Sequence, residues 1–189
     1  MADNKIIDGK LVAAAIKKEI AAEVAAMIDS GQDAPHLAAV IVGEDGASLT
    51  YVASKERACQ SVGMVSSVYR LKENSSEEDV LNTIKFLNED PEIDGYIVQL
   101  PLPSHINETK IIQSINPNKD VDGFNPFNVG KLVLGQNGFI SCTPYGIVKI
   151  LEEYNIETEG KNAVILGRSN IVGKPMIQCL LEKNATVTV

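Results

Sequence analysis

Apolar residues recur along the first part of the chain with two alternating periods. Between residues 9 and 30 they fall at Leu11, Val12, Ile16, Ile20, Val24 and Met27, the spacing that lines one face of a helix. Gly31 is placed to end that helix, as glycine commonly does. Residues 36–43, HLAAVIVG, are instead an unbroken apolar run, the pattern of a strand covered on both faces. A helix bearing Tyr51 and Lys55 follows, and then a second strand over 65–71, VSSVYRL. Ser75 and Glu78 stand at capping-box spacing ahead of an amphipathic helix. IDGYIVQLPLP, residues 93–103, predicts a third strand stopped by Pro101 and Pro103, which lack the N–H a ladder needs. A short helix is expected over 107–115. Strands alternating with helices in this way define an α/β protein whose sheet is parallel, with right-handed crossovers and helices layered on both faces.

The pattern then changes. Residues 116–143 are rich in Asn, Gly and Pro, and such a stretch is expected to be mostly loop, of the long kind that carries function or links domains. Beyond it, TPYGIVKILEEYN reads as a helix with Pro144 in its first turn. NAVILGRSNIVGKPMIQCLLEKNATVTV reads as strand, glycine turn, helix, strand. A domain boundary is therefore placed near residue 142, giving a first α/β domain over 1–142 and the start of a Rossmann-type domain over 143–189.

Composition narrows the function. Apolar residues make up 44% and charged residues 22% of the chain, ordinary values for a protein with a packed core. The net charge of −8 lacks the basic footprint of a nucleic-acid-binding protein. Cys59, Cys142 and Cys179 are scattered, which fits neither a disulfide framework nor a zinc site and points to a reducing, cytoplasmic setting. The opening MADNKIIDGK has no apolar leader core, and no run nears the roughly 18 apolar residues of a membrane span. His36 and His105 have no partners at metal or triad spacing, so structural roles are expected for both. Buried packing is expected for Cys142, and core positions for Met176 and Cys179. DVDGFN could begin a calcium loop, but the twelfth position from Asp120 is Lys131 where a glutamate is required.

Two features carry candidate chemistry. Gly167, Ser169 and Gly173 in LGRSNIVG follow an apolar strand and open a helix. In a dinucleotide-binding turn the first glycine permits the bend and the small middle residue lets backbone approach the pyrophosphate. The last glycine permits close helix–strand packing. The spacing here is one residue longer than G-x-G-x-x-G, and Arg168 suits a cofactor bearing an extra phosphate. The acidic residue expected about 20 positions past the first glycine would fall at the chain's last residues, where there is none; the chain is expected to stop inside its nucleotide domain. Earlier, Tyr51 and Lys55 lie four apart and so share one helix face. Tyr-x-x-x-Lys also marks short-chain dehydrogenases, but there the glycine turn precedes the pair, whereas here it follows.

Five segments in order, VGEDGASLTYVASKERACQSVGM (42–64), DGYIVQLPLP (94–103), PNKDVDGFNP (117–126), CTPYG (142–146) and GRSNIVGKP (167–175), resemble the bifunctional methylenetetrahydrofolate dehydrogenase/cyclohydrolase family. Gly46 stands where that family usually has proline. The resemblance implies oxidation of 5,10-methylenetetrahydrofolate by NADP and hydrolysis of the methenyl product to 10-formyltetrahydrofolate, by an enzyme that commonly forms homodimers. It places Lys55, Tyr51 and Gln99 in the catalytic role and Tyr51, Gln99, Leu100, Pro101 and Asp122 around the folate. Gly167, Arg168, Ser169 and Gly173 hold NADP, and no metal is implied. The residue types suit these tasks. Ring opening needs a positioned acid/base, and lysine serves if its pKa comes from about 10.4 toward about 7–8, roughly 3–5 kcal/mol of differential interaction. Neutral Gln99 orients the amine, Tyr51 offers a ring and a hydroxyl, and Asp122 accepts from the pterin's N–H groups. Two other readings stay open on the residues alone: another two-domain NADP oxidoreductase acting on a shikimate-like acid, and a catalytically silent folate-binding fragment.

Overall fold

In a computed structural model, which describes residues 6–189, the apolar run His36–Val42 forms strand β1 at the centre of a sheet. Residues 1–5, the front of the segment read above for a leader, lie outside the described residues. The chain divides into two compact units, Lys17–Val121 and Met1–Ile16 with Asp122–Val189; the division falls within helix α1 (Gly9–Asp29).

In the first unit the sheet order is β2 (Val65–Leu71), β1, β3 (Gly95–Val98), every pairing parallel. Ala38 to Val42 are all buried, and their side chains alternate between two cores, as the two-residue strand period requires. Ala38, Val40 and Val42 pack with Val80, Ile84 and Leu87 of α3 (Glu77–Glu89) and Ile111 of α4 (Glu108–Ser114). Ala39 and Ile41 join Val52 of α2 (Gly46–Ser61) and Ile97 in a separate cluster. Three layers result, and the unbroken hydrophobicity of β1 is explained: neither face meets water.

Two expectations need correction here, and a third, the mostly loop stretch 116–143, needs one addition. The capping box of α3 is built one residue later than Ser75–Glu78, by Ser76 and Asp79: Asp79 N–H donates to Ser76 Oγ while the Asp79 carboxylate accepts from the Ser76 N–H. Ser75 is used instead to close the preceding turn, its N–H donating to Lys72 O. The third strand is shorter than 93–103 and ends at Val98, because the two prolines beyond cannot extend a ladder. The stretch 116–143 contains a helix, α5 (Pro126–Val133), begun by Asn125 as N-cap with Pro126 at the first position.

In the second unit, α5, α6 (Cys142–Glu153) and α7 (Gly173–Glu182) share a core of Leu132, Val148, Met176, Cys179 and Leu180. Beside them β4 (Asn162–Val164) and β5 (Thr186–Thr188) pair in parallel. Met176 and Cys179 thus sit in the core, as their helical spacing predicts.

Acid sensitivity follows from the surface carboxylates. Glu77 is held below its ordinary value of 4.5, chiefly by the Lys110 side chain and also by the Asn107 N–H, and Asp79 is lowered by Ser76. Groups with depressed folded-state values stabilise the fold above the unfolded value, and that contribution fades as pH falls through the folded value. The urea midpoint should therefore drop as pH is lowered below 4.5. Glu77→Gln should flatten that drop while lowering the midpoint at pH 7; an unchanged acid limb in the variant would remove Glu77 from the account.

Candidate functional site

The chain passes from β1 to β2 on one side of the sheet, and then to β3 on the other side of β1. In parallel sheets, side chains at the carboxyl ends of strands flanking such a reversal face a crevice where ligands collect. Gln99 stands there: its N–H still donates to Val40 O, 2.8 Å away, so the residue is held by the sheet although the strand has ended. Its side chain is fixed at both ends. Gln99 Nε2 donates to Leu100 O at 2.7 Å, which turns Oε1 the other way, where it accepts from Lys55 Nζ at 3.3 Å. Lys55 is half-buried and reaches this point from α2. One turn earlier on the same helix, Tyr51 is 62% exposed. The α2 start is itself secured, Asp45 accepting from the Ser48 N–H at 2.8 Å. Leu100 is half-buried and Pro101 exposed, joined by a cis peptide bond.

Asp122 opens the second unit and is half-buried. Its Oδ1 accepts from Cys142 Sγ at 3.7 Å, at the first residue of α6. Cys142 is exposed, contrary to the buried packing expected of it, because it leads its helix rather than lining the inner face. Next to it Ser141 is 2% exposed and its Oγ donates to Ile171 O, tying the start of α6 to the glycine turn.

That turn has the steric form of a phosphate cradle. A Cβ on Gly173 would lie 2.4 Å from Gly167 O and 2.8 Å from Arg168 Cα, so only glycine fits this close approach. Gly167 has φ +134°, in the region that disfavours other residues, and a Cβ there would meet nothing within 4 Å: its outer side is open. Ser169 Oγ accepts from the Val172 and Gly173 N–H groups and holds the loop in shape. Arg168 is exposed. Strand β4 ends at Val164, short of the turn, and Leu166 is 96% exposed. Among the described residues, no cluster of His, Cys, Asp or Glu could hold a metal ion, and no helix is long and apolar enough to cross a membrane. Both histidines are tied to structure: His36 Nε2 meets Ser67 Oγ and His105 Nε2 meets Ser75 O.

A lysine–amide pair at the carboxyl end of a parallel sheet, followed along the chain by a dinucleotide-type glycine turn, marks a two-part α/β protein with a candidate polar site in its first part. Two family models match in the same order. The catalytic domain of tetrahydrofolate dehydrogenase/cyclohydrolase covers residues 7–122, and the NAD(P)-binding domain of the same proteins covers 141–189. The chain belongs to the tetrahydrofolate dehydrogenase/cyclohydrolase family. The bifunctional protein FolD of Porphyromonas gingivalis is 53% identical over 98% of this chain, and that of Campylobacter hominis is also 53% identical. The chain spans 64% of the length of the Porphyromonas protein. Among solved structures, the bifunctional enzyme FolD of Campylobacter jejuni superposes with a TM-score of 0.94 at 48% identity, covering 97% of this chain and 65% of that one. The Trypanosoma brucei enzyme, complexed with NADP and an inhibitor, gives 0.94 at 35% identity, covering 100% of this chain and 65% of that one.

Two contacts escaped the sequence reading: the Leu100 carbonyl that sets the Gln99 amide, and the Cys142 thiol on Asp122. Neither has a sequence signal, since a backbone acceptor is invisible in side-chain patterns and the thiol contact depends on how a loop is folded. The exposure difference among the cysteines gives a direct check. Burial raises the thiol pKa of Cys59 and Cys179, which suppresses the reactive thiolate. With dithionitrobenzoate the native protein should release one fast equivalent, lost in Cys142→Ser, and the remaining thiols should react only on unfolding. Rapid reaction of all three would contradict this burial pattern.

Proposed function

We propose that this chain forms the folate site and the first part of the NADP site of an enzyme of one-carbon metabolism. That enzyme oxidises 5,10-methylenetetrahydrofolate to the methenyl form and hydrolyses the latter to 10-formyltetrahydrofolate. Residues 1–142 supply the folate-binding catalytic domain and residues 143–189 the opening of the NADP-binding domain. The observation that carries the reading is the bond from Lys55 Nζ to Gln99 Oε1, made by residues of family segments at the ligand-collecting end of the sheet.

The hydrolysis requires a proton to leave the attacking water and another to reach a folate nitrogen. Lys55 is the acid/base for these transfers. Gln99 presents its oxygen to the amine because its nitrogen is engaged by Leu100 O, and as a neutral partner it orients Lys55 without adding a negative charge that would favour the ammonium. Tyr51, an exposed residue one helical turn from Lys55, provides an aromatic face for the folate and a hydroxyl for its hydrogen bonding. Leu100 and Pro101 border the same site, and Asp122 accepts from the donors of the pterin ring.

The glycine turn would hold NADP, which would supply the hydride acceptor for oxidation at the methylene carbon. The open outer side of Gly167 and the tight Gly167–Gly173 approach fit a pyrophosphate. Gly167, Ser169 and Gly173 would hold it, with the Arg168 guanidinium pairing to phosphate. The 10-formyl product is a formyl donor of the kind purine biosynthesis consumes. A homodimer in the cytoplasm, with neither nucleic acid nor membrane as partner, completes the reading; the net charge of −8 opposes binding to either polyanion.

The test is Lys55→Met in the enzyme, with hydrolysis of 5,10-methenyltetrahydrofolate followed by its absorbance. The rate should fall by about 10²-fold or more, while affinity for the folate changes only a few-fold. A normal hydrolysis rate would remove Lys55 from the mechanism.

A further inference from the structure

One lysine is used in a way the folate reading does not require. Lys119 Nζ donates to Leu87 O at 2.9 Å and to Asp90 O at 2.6 Å, the carbonyls at the carboxyl end of α3. Helix ends leave such carbonyls without intrahelical partners, and a cation there also meets the negative end of the helix dipole. The same residue's backbone is built into the sheet: Lys119 O accepts from the Tyr96 N–H at 2.9 Å and from the Val121 N–H at 3.0 Å. Tyr96 and Asp120 thereby form an isolated parallel bridge, which ties the turn at residues 119–121 to the outer edge of β3. The fit is close. A Cβ on Gly95 would lie 2.3 Å from Val121 Cγ1, and valine at a fixed rotamer cannot easily give way. Upstream, Asn88 secures the entry to this segment, its Oδ1 accepting from the Asn116 N–H and the Tyr96 hydroxyl. The residue bonded directly after Val121 is Asp122.

We propose that Lys119 is a positioning residue for Asp122: by clamping the end of α3, it locks residues 119–121 onto β3 and so fixes where the backbone delivers the folate-binding carboxylate. The proposal rests on the folate role given to Asp122. Two features distinguish this clamp from a surface lysine. Its nitrogen is engaged by main-chain carbonyls rather than by a mobile side chain, and its own carbonyl is the acceptor that joins the segment to the sheet.

Lys119→Met, Lys119→Arg and Asp122→Asn in this chain separate the possibilities, using 5-formyltetrahydrofolate as the calorimetric probe and amide hydrogen exchange as the structural one. In Lys119→Met the Tyr96 amide should exchange about tenfold faster or more, while the Gln99 amide, bonded to Val40 O, stays within about twofold, marking a local opening rather than global loss of stability. Probe affinity should fall about tenfold, as in Asp122→Asn, and Lys119→Arg should restore most of both, since a guanidinium can also serve two carbonyls. Gly95→Ala, which crowds Val121 with Lys119 intact, should weaken binding in the same direction. Unchanged Tyr96 exchange in Lys119→Met overturns the clamp. Wild-type affinity in Lys119→Met alongside weak binding in Asp122→Asn overturns its positioning role. Unchanged affinity in Asp122→Asn withdraws the folate role of that carboxylate and the positioning claim with it; the exchange result identifies this as a failure of the reading beneath.

Discussion

The hydrogen bond between Lys55 and Gln99 joins residues 44 positions apart, and it exists only because the parallel sheet places their elements. Gln99 is positioned by its N–H on Val40 O, and Val40 by burial at the centre of the sheet. Lys55 is positioned by α2, whose Val52 packs under Ile41 and Ile97 on one face of that sheet. The amide cannot turn freely, because Leu100 O holds its nitrogen. Each restraint is modest, roughly 1 kcal/mol for a hydrogen bond, but together they give an amine a fixed neutral neighbour. An acid/base needs that arrangement: geometry set in advance, without a charge locking it in one protonation state.

Much of this was legible in the sequence, and the reasons are physical. The run LAAVIV declares a doubly covered strand because both its faces are dry. The order of helices and strands follows from period and caps. What failed was local bookkeeping. Ser75 and Ser76 are equally good cap residues by type, and only the turn to Lys72 decides which one caps. Helix α5 was hidden because Asn and Pro are read as loop residues, although Asn-Pro is also how a helix begins. Cys142 was misplaced inside because cysteine's average burial says nothing about a residue that opens a helix.

The candidate site residues stand out in a different way. Nothing in the spacing of Tyr51 and Lys55 distinguishes them from a solvated helix face; the ordered family segments do. The glycine turn shows the converse. Its spacing departs from the usual fingerprint, yet the steric demand is plain once the backbone is seen, with Gly173 against Gly167 O and Ser169 capping the loop. Backbone approach, which sequence records only as glycine, is what the fold uses at both Gly95 and Gly173.

The most direct measurement is a double-mutant cycle on Lys55→Ala and Gln99→Ala, read as affinity for a reduced folate. If the amide orients the amine in the bound state, the two losses should fall short of additive by at least about 0.5 kcal/mol. Strict additivity would mean that the two side chains act independently of each other, and the account of this centre as a lysine held by a neutral amide would be wrong.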